Sequence, residues 1–318
     1  MKFMVGLPKN NPEFVDYLIE NSNHIYELYF SWGDFPNGRS SFIRNDDYTE
    51  WELMDIERSA LKKVSDAKIP LNLLFNANCY GKDSQSRSFF NKIGDTIDFV
   101  KRSYGLKSVT TTSPLIAKFV KANFSDIEVR ASVNMEIGTV QGMKYLSEYF
   151  DSFYMKRELN RDFESIKILH KWCSENGKKL FMLANSGCLN FCSAHNFHDN
   201  LVAHENDIAK MDNAYNFGGI CHEYLKKPEN YKTLYDNMNF IRPEDIPCYD
   251  SYFEAVKLAT RVHNNPTEVL ESYIKGKYSG DLLRLLEPAH SIYPYVIENG
   301  DKPMLKKIGA NIYQEEKL

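Results

Sequence analysis

The sequence lacks any apolar run that approaches the roughly 18–20 residues needed to span a membrane. Its first segment, MKFMVGLPKN, has too short an apolar part for a signal peptide and is typical of a first strand. Internal repeats, low-complexity tracts and interdomain linkers are also absent. The net charge of −4 and the pI near 6.1 give no general reason to expect a nucleic-acid ligand, although a local basic groove could escape that average. We therefore expect a cytoplasmic protein with no membrane contact.

The 318 residues suffice for one large α/β domain or two smaller ones, and a hydrophobic content of 43% allows a sizeable core. Strand-like and helical segments alternate, which is typical of a parallel sheet with crossover helices. Their number favours a (β/α)8-like barrel, with a doubly wound open sheet as the alternative. Strands are predicted at residues 2–6, 25–32, 70–75, 108–112, 127–133, 152–155, 180–184 and 253–258. We place the barrel at residues 1–262, including an insertion at 186–250, and a helical C-terminal extension at 263–318.

The seventh predicted strand leads directly into a cysteine-rich turn. Its sequence LFMLA stops at Asn185-Ser186-Gly187, and Cys188 and Cys192 follow at once, with Cys221 and Cys248 further on. Six cysteines without an export signal indicate reduced thiols rather than a disulfide framework. A close pair plus two remote cysteines fits an iron–sulfur site with four cysteine ligands or a structural zinc site. The alternative is four unrelated buried thiols, since free cysteine is often buried.

Histidines follow the close cysteine pair. His195 lies three residues beyond Cys192, so it could complete a zinc site. On their own, His195 and His198 would more often be surface or packed residues. We therefore treat both as candidates to support a metal or to bind substrate.

Polar residues also end several predicted strands. Arg157 and Glu158 close the sixth strand, where charged side chains suit anion binding or proton transfer. Adjacent strand residues point to opposite faces, so both reach a pocket only if the strand has already bent into its loop. A salt bridge to a neighbouring helix is the alternative. Asn76 and Asn134 follow their strands and could bind substrate or simply serve as turn residues.

Three motifs in order resemble peptidase family U32, a collagenase-like family. They are MKRELN (155–160), NSGCLNFC with its following histidines (185–198), and FIRPEDI followed by VKLATR (240–261). The resemblance covers most of the chain as far as Arg261. Within it, Lys257 and Arg261 become candidate substrate-binding residues.

The resemblance implies a barrel-like domain, and in members of assigned chemistry it implies a 4Fe-4S cluster held by four cysteines. Those members include oxygen-independent hydroxylases of ubiquinone precursors and of RNA bases, which use prephenate as oxygen donor. Carried over by motif, Cys188, Cys192 and Cys221 fall in the cluster-binding region, and His198 matches a histidine of the same motif. Cys248 lies beyond the RPED motif, where the family does not require a cysteine. Departures from the family pattern are Ser193 and His195, where proline and a basic residue (usually arginine) are common, and Thr260, where glycine is usual.

We carry three functional hypotheses forward. The first is an iron–sulfur enzyme of oxygen-independent hydroxylation or related group transfer, with Glu158 and Arg157 as catalytic candidates and a small-molecule or RNA substrate. The second is a peptidase, although the sequence shows no Ser/His/Asp order, no HExxH and no Cys–His nucleophile signature. The third is a non-catalytic cluster-bearing subunit of a heterodimer with a related subunit. Zinc is the alternative metal in all of them.

Overall fold

Eight parallel strands form a barrel in the computed structural model, which describes residues 1–9, 11–38, 49–208, 211, 219–289 and 296–300. In spatial order the sheet runs β7-β6-β5-β4-β3-β2-β1-β8. The first and last strands of that order meet where the chain leaves β7. There the Lys257 N–H donates to the Met182 carbonyl at 2.9 Å, and the Ala184 N–H donates to the Lys257 carbonyl at 2.9 Å. The strands are β1 (Lys2–Gly6), β2 (Ile25–Phe30), β3 (Leu71–Phe75), β4 (Ser108–Thr111), β5 (Glu128–Ala131), β6 (Ser152–Tyr154), β7 (Lys179–Phe181) and β8 (Ala255–Leu258).

Helices cover the outside of the barrel and fill the long connection between β7 and β8. Several begin at a capping side chain, as where Asn11 Oδ1 accepts a bond from the Phe14 N–H at 3.0 Å ahead of Pro12. The helices are α1 (Pro12–Glu20), α2 (Glu50–Asp66), α3 (Arg87–Tyr104), α4 (Pro114–Asn123), α5 (Val140–Leu146), α6 (Phe163–Glu175), α7 (His195–Ala203), α8 (Glu205–Ile208), α9 (Ile220–Leu225), α10 (Pro228–Lys232) and α11 (Pro266–Lys275). Single-turn 3-10 segments lie at Ser22–His24, Val133–Met135, Arg157–Leu159 and Leu282–Leu285, and a longer one lies at Pro243–Tyr249.

The strands alternate between two buried faces, since successive side chains of a strand point to opposite sides. One apolar cluster lies between the sheet and the helices and includes Val5, Leu28 and Leu73. A separate, smaller cluster lies inside the barrel and includes Met4 and Tyr29. Because both faces of each strand are covered, the strands are apolar runs broken by a few inward-facing polar residues.

The predicted (β/α)8-like barrel is confirmed. The alternative, a doubly wound open sheet, is wrong because β1 lies between β2 and β8 and β8 also bonds to the chain just after β7. Five of the eight strands, β2 and β4 to β7, end earlier than predicted, whereas β1, β3 and β8 end where predicted. The second strand ends at Phe30, and the seventh ends at Phe181, after which residues 182–184 bend toward β8.

The predicted C-terminal extension contains α11, which packs beside α1 and the segment Pro243–Tyr249. Residues 301–318 of that predicted extension lie outside the described part of the chain. The proposed boundary at residue 262 stays a prediction. Among the described helices, none combines the length and the apolar character required to cross a bilayer.

Candidate functional site

A polar pocket lies at the carboxyl ends of the strands, and we refer to it as the mouth pocket. Its cavity volume is about 60 Å3. Its described lining residues are Tyr29, Gly38, Leu74, Asn76, Val133, Asn134, Arg157, Leu183, Ser186, Lys257, Ala259, Arg261, Val262 and Glu287. Five of the predicted substrate or catalytic residues therefore share one cavity: Asn76, Asn134, Arg157, Lys257 and Arg261. An α/β barrel carries its reactive groups at this end.

Arg157 is fixed by two hydrogen bonds at the edge of the mouth pocket. β6 ends at Tyr154, and the chain then turns through the 3-10 segment Arg157–Leu159. The guanidinium donates from Nη2 to Asn134 Oδ1 at 2.7 Å and lies 2.6 Å from His195 Nε2 through Nη1. Its Nε–H is buried and has no hydrogen-bond partner among the described residues. The side chain is therefore held in place yet keeps a donor for a further acceptor.

His195 connects Arg157 to the cysteine-bearing segment. Burial and the charge of Arg157 lower its pKa, while Asp199 and Glu136 act in the opposite direction. A guanidinium can only donate, so Nε2 must accept, and the proton lies on Nδ1, which is 3.1 Å from Glu136 Oε1. Neutral His195 thus orients Arg157 and does not compete with its charge.

The two asparagines predicted to follow strands also meet. The Asn134 side chain donates to the Asn76 carbonyl at 3.3 Å, and Asn76 Oδ1 accepts a bond from the Gly38 N–H at 3.1 Å. A Cβ at Gly38 would lie 2.6 Å from Asn134 Nδ2, so this close approach requires glycine. The asparagines therefore build the wall that holds Arg157.

Lys257 and Arg261 complete the cationic side of the mouth pocket. Lys257 projects inward from β8, and its Nζ lies 4.1 Å from the ring centroid of Tyr29. Burial first, and then the positive charge of Arg261, lower the pKa of Lys257 to about 7. Arg261 donates from Nη2 to Asn37 Oδ1 at 3.0 Å.

Three of the four predicted thiol ligands lie near one another. Cys188, Cys192 and Cys221 are all half-buried free thiols. Burial raises the pKa of the Cys221 thiol, and charge on Cys188 and Cys192 raises it further, so the three sulfurs lie within electrostatic reach. We call these three residues the thiol group.

Cys248 has different surroundings from the thiol group. It lies in the 3-10 segment Pro243–Tyr249, is 6% exposed and belongs to the apolar core. In the part of the chain that the structure describes, no set of three or more histidine, cysteine, aspartate or glutamate side chains is already arranged around a metal position. The thiol group has the residue chemistry of a thiolate-bound metal centre, but the described residues do not arrange it around a metal position.

The thiol group borders the mouth pocket through two short connections. Ser186 lines the pocket, and its Oγ accepts a bond from the Cys188 N–H at 3.4 Å. On the other side, the His195 N–H donates to the Cys192 carbonyl at 3.0 Å, while its ring contacts Arg157. A metal held by these thiols would therefore adjoin the cationic pocket.

Three predicted substrate or catalytic residues are not among the described lining residues: His195, Glu158 and His198. Glu158 is buried beside Arg157 and acts electrostatically on His195, but it is not among the described lining residues. His198 lies one turn along α7 from His195 and is half-buried. Their predicted roles stay predictions.

The sequence analysis missed the two carboxylates that lie beside His195. Asp199 is four residues further along α7, and its Oδ2 lies 3.5 Å from His195 Nε2. That spacing places two residues on one helix face and is visible in the sequence. Glu136 comes from another strand's loop, and no local pattern indicates its role.

Two asparagines of the family motifs, Asn160 and Asn185, have a structural role, since each bonds to a distant segment of the chain. Asn160 donates to the carbonyls of Leu183 and Asn239, both at 2.7 Å. Asn185 similarly joins the end of β7 to the chain after β8, by accepting from the Ala259 N–H at 2.6 Å and donating to the Ala259 carbonyl. These amides hold the cysteine-bearing connection onto the barrel.

The fold and the site define an α/β-barrel protein with a cationic cleft and a cysteine-bearing segment between its last two strands. No family model matches the sequence. The uncharacterized protease MJ1657 of Methanocaldococcus jannaschii is 25% identical over 250 residues, which cover 75% of this chain and 71% of that protein. The solved U32 peptidase Mk0906 shares the fold with a TM-score of 0.57 at 14% identity, covering 81% of this chain and 92% of that one. The sequence relative and the shared fold therefore support the resemblance to the U32 peptidase family.

Proposed function

We propose that this chain is an iron–sulfur enzyme of the U32 peptidase-like family that carries out oxygen-independent hydroxylation or a related group transfer. The observation that supports this function is the contact between the thiol group and a cationic pocket through His195 and Arg157. Three thiols within electrostatic reach of one another suit a ligand set better than a single nucleophile, which would need one activated thiol beside a base.

The residues divide into a metal-binding set and a substrate-binding set. Cys188, Cys192 and Cys221 would hold the cluster, with Cys248 as the proposed fourth ligand and zinc as the alternative metal. When bound, such a cluster supplies redox or Lewis-acid chemistry. Arg157 and Arg261 bind an anionic group of the substrate, because a planar guanidinium recognises carboxylate or phosphate oxygens through two parallel bonds.

A hydroxyl transfer without dioxygen requires a small organic donor that carries the oxygen. The acceptor then gains the hydroxyl group in place of a hydrogen, and the donor takes that hydrogen, so the exchange balances. The substrate that accepts the group is a small molecule or an RNA base. The cavity of about 60 Å3 is well below the roughly 300–1,000 Å3 of ligand pockets, so the mouth pocket would have to open to admit even one compact molecule.

Peptidase activity is the second candidate, because the relatives are named as a protease and a peptidase. The ring of His195 contacts Arg157, Glu136 and Asp199, and none of these is a nucleophile. A hydrolytic site built on this histidine would therefore need a rearrangement. A third candidate is a cluster-bearing subunit that works only with a related partner, and the oligomeric state of the purified chain tests it.

Iron analysis tests the proposed function. Protein purified without oxygen from iron-supplemented cells should contain iron and sulfide and should bleach in air. Cys188→Ser should lose most of the iron, while Cys79→Ala, which removes a half-buried thiol outside the thiol group, should keep it. Stoichiometric zinc without iron, or hydrolysis of peptides that survives Cys188→Ser and Cys192→Ser, would reject the iron–sulfur enzyme.

A further inference from the structure

We propose that Lys257 is a catalytic amine that forms an imine with the carbonyl carbon of a carboxylate ligand held by Arg157 and Arg261. The ligand class is therefore an oxo acid, a compact molecule with a carboxylate beside or near a ketone or aldehyde. The inference rests on the proposed function only in that the same pocket holds the substrate. It requires no cluster.

The geometry around Lys257 leaves its nitrogen available. Nζ lies over the rings of Tyr29 and Tyr154, at 4.1 Å and 5.1 Å from their centroids. Among the residues that the structure describes, none accepts a hydrogen bond from Nζ, and the residue lines the mouth pocket. A lysine that served only to hold the fold would be expected to donate to a carbonyl or a carboxylate.

The charges that face Lys257 favour the neutral amine. Its pKa falls to about 7, first through burial and then through the positive charges of Arg261, Arg130 and Arg157, with Glu27 as the opposing carboxylate. Burial also raises the pKa of Tyr29 and of Tyr154, so both phenols are neutral. Glu287, on the pocket wall, is the other facing carboxylate.

These charges fix the protonation state that the reaction needs. Contact with aromatic faces favours the ammonium, whereas burial and the neighbouring arginines favour the neutral amine. Above neutral pH the nitrogen therefore carries a lone pair, as a nucleophilic lysine requires.

The two arginines place the carbonyl beside this nitrogen. Arg157 is held by His195 and Asn134, and Arg261 is held by Asn37, so neither guanidinium needs to reorganise on binding. Both line the mouth pocket with Lys257, and their charges lower its pKa, so an anion bound there lies in the same cavity as Nζ.

The covalent step balances as an ordinary condensation. The Nζ lone pair attacks the carbonyl carbon and forms a carbon–nitrogen bond. The carbonyl oxygen takes up two protons and leaves as water. The imine nitrogen then accepts a proton to become an iminium, whose charge is offset by the bound carboxylate. No oxidant or reductant takes part.

Reductive trapping tests the inference on the full chain. The protein is incubated with pyruvate, 2-oxobutyrate or phenylpyruvate, reduced with borohydride, digested and analysed by mass spectrometry. We expect labelling of Lys257 to exceed that of the exposed Lys118 by more than about tenfold at pH 7.5, because a larger fraction of Lys257 is neutral. Labelling should rise with pH through a midpoint near 7.

Variants separate this inference from the proposed function. Lys257→Arg keeps a cation but cannot form an imine, so its label should disappear while its circular dichroism is unchanged. Arg157→Gln should slow labelling, since the anion loses a partner and the pKa of Lys257 rises. Cys188→Ser should still be labelled at Lys257. If the cluster assignment proved wrong, this inference would therefore still stand. Lys257 labelling no greater than that of Lys118 with all three oxo acids, or undiminished total label in Lys257→Arg, would overturn it.

Discussion

A single buried amine, Lys257, connects stability to the proposed chemistry at the scale of the residue. Its pKa is about 7 in the folded protein, against about 10.4 in an unfolded chain. Between these values the unfolded state binds the extra proton, so unfolding is favoured and stability rises with pH. Below pH 7 the amine is protonated in the native state as well, so the native state bears the full free-energy cost of burying its charge.

Replacing this amine should therefore stabilise the protein at neutral pH. We expect Lys257→Met to raise the free energy of unfolding by about 2–4 kcal/mol at pH 7, with the gain falling toward zero near pH 10. Urea unfolding across that range measures it, and Lys118→Met, at an exposed position of α4, should change little at any pH. A pH-independent effect of Lys257→Met would show that the native amine is not neutral.

The residue scale also shows where sequence reasoning stops. In the sequence, Arg157 and Glu158 are equally good candidates for the site, because both are charged and both lie at the end of a predicted strand. Only the 3-10 turn that follows β6 decides that Arg157 lines the mouth pocket while Glu158 does not. Such a turn depends on contacts with His195 and Asn134, which are distant in sequence.

At the scale of elements, the strands and most helices were predictable from the sequence. Apolar runs of four to six residues between turn signals locate β1, β3 and β7, and proline after a capping residue locates the start of α1 and α4. The connection between β7 and β8 was predictable only as an insertion. Its short helices depend on clamps such as Asn160, which binds carbonyls from two separate segments.

The 3-10 segment Pro243–Tyr249 determines whether Cys248 reaches the thiol group. If Cys248 is the fourth ligand, Cys248→Ser should lose iron as completely as Cys188→Ser does. If it is a core thiol, the variant keeps its iron but loses stability, because a hydroxyl replaces a thiol among apolar neighbours. Iron content per folded molecule, measured together with the melting temperature, distinguishes the two. Normal iron would exclude Cys248 and move attention to Cys79 or a histidine.

At the scale of the whole molecule, the barrel holds two polar centres at opposite ends. The mouth pocket occupies the carboxyl end of the strands. Toward the amino end, the buried pair Glu27 and Arg130 forms an ion pair inside the barrel. Hydrogen bonds extend this pair across β2 to β6, with Asn72 to Glu27 at 2.8 Å and Arg130 to Ser152 at 3.1 Å. A glutamate inside the apolar run IYELYF was a visible signal, but its partner on β5 is more than a hundred residues away.

This division predicts that the amino end stabilises the barrel without contributing to chemistry. Arg130→Met leaves Glu27 buried beside only neutral donors, so we expect a loss of about 3–5 kcal/mol in urea unfolding. The double variant with Glu27→Gln should recover a large part of that loss, because the unpaired carboxylate inside the barrel is gone. Glu128, the other carboxylate paired with Arg130, still has Lys179 at 3.7 Å. Lys121→Met, which removes an exposed ion pair with Asp151, should cost less than about 1 kcal/mol.

The same variants can also be tested for iron binding and for imine formation at Lys257. Iron content and oxo-acid trapping at Lys257, expressed per folded molecule, should be unchanged in the double variant, since the mouth pocket and thiol group lie at the other end of the strands. Arg130 nonetheless lowers the pKa of Lys257 and Glu27 raises it, so removing both charges together should leave the trapping midpoint near its native pH. Arg130→Met alone should move that midpoint upward, because one positive charge is lost and the opposing carboxylate remains. A midpoint that stays fixed in the single variant would mean that the interior charges do not reach Lys257, and the two centres would then be electrostatically independent.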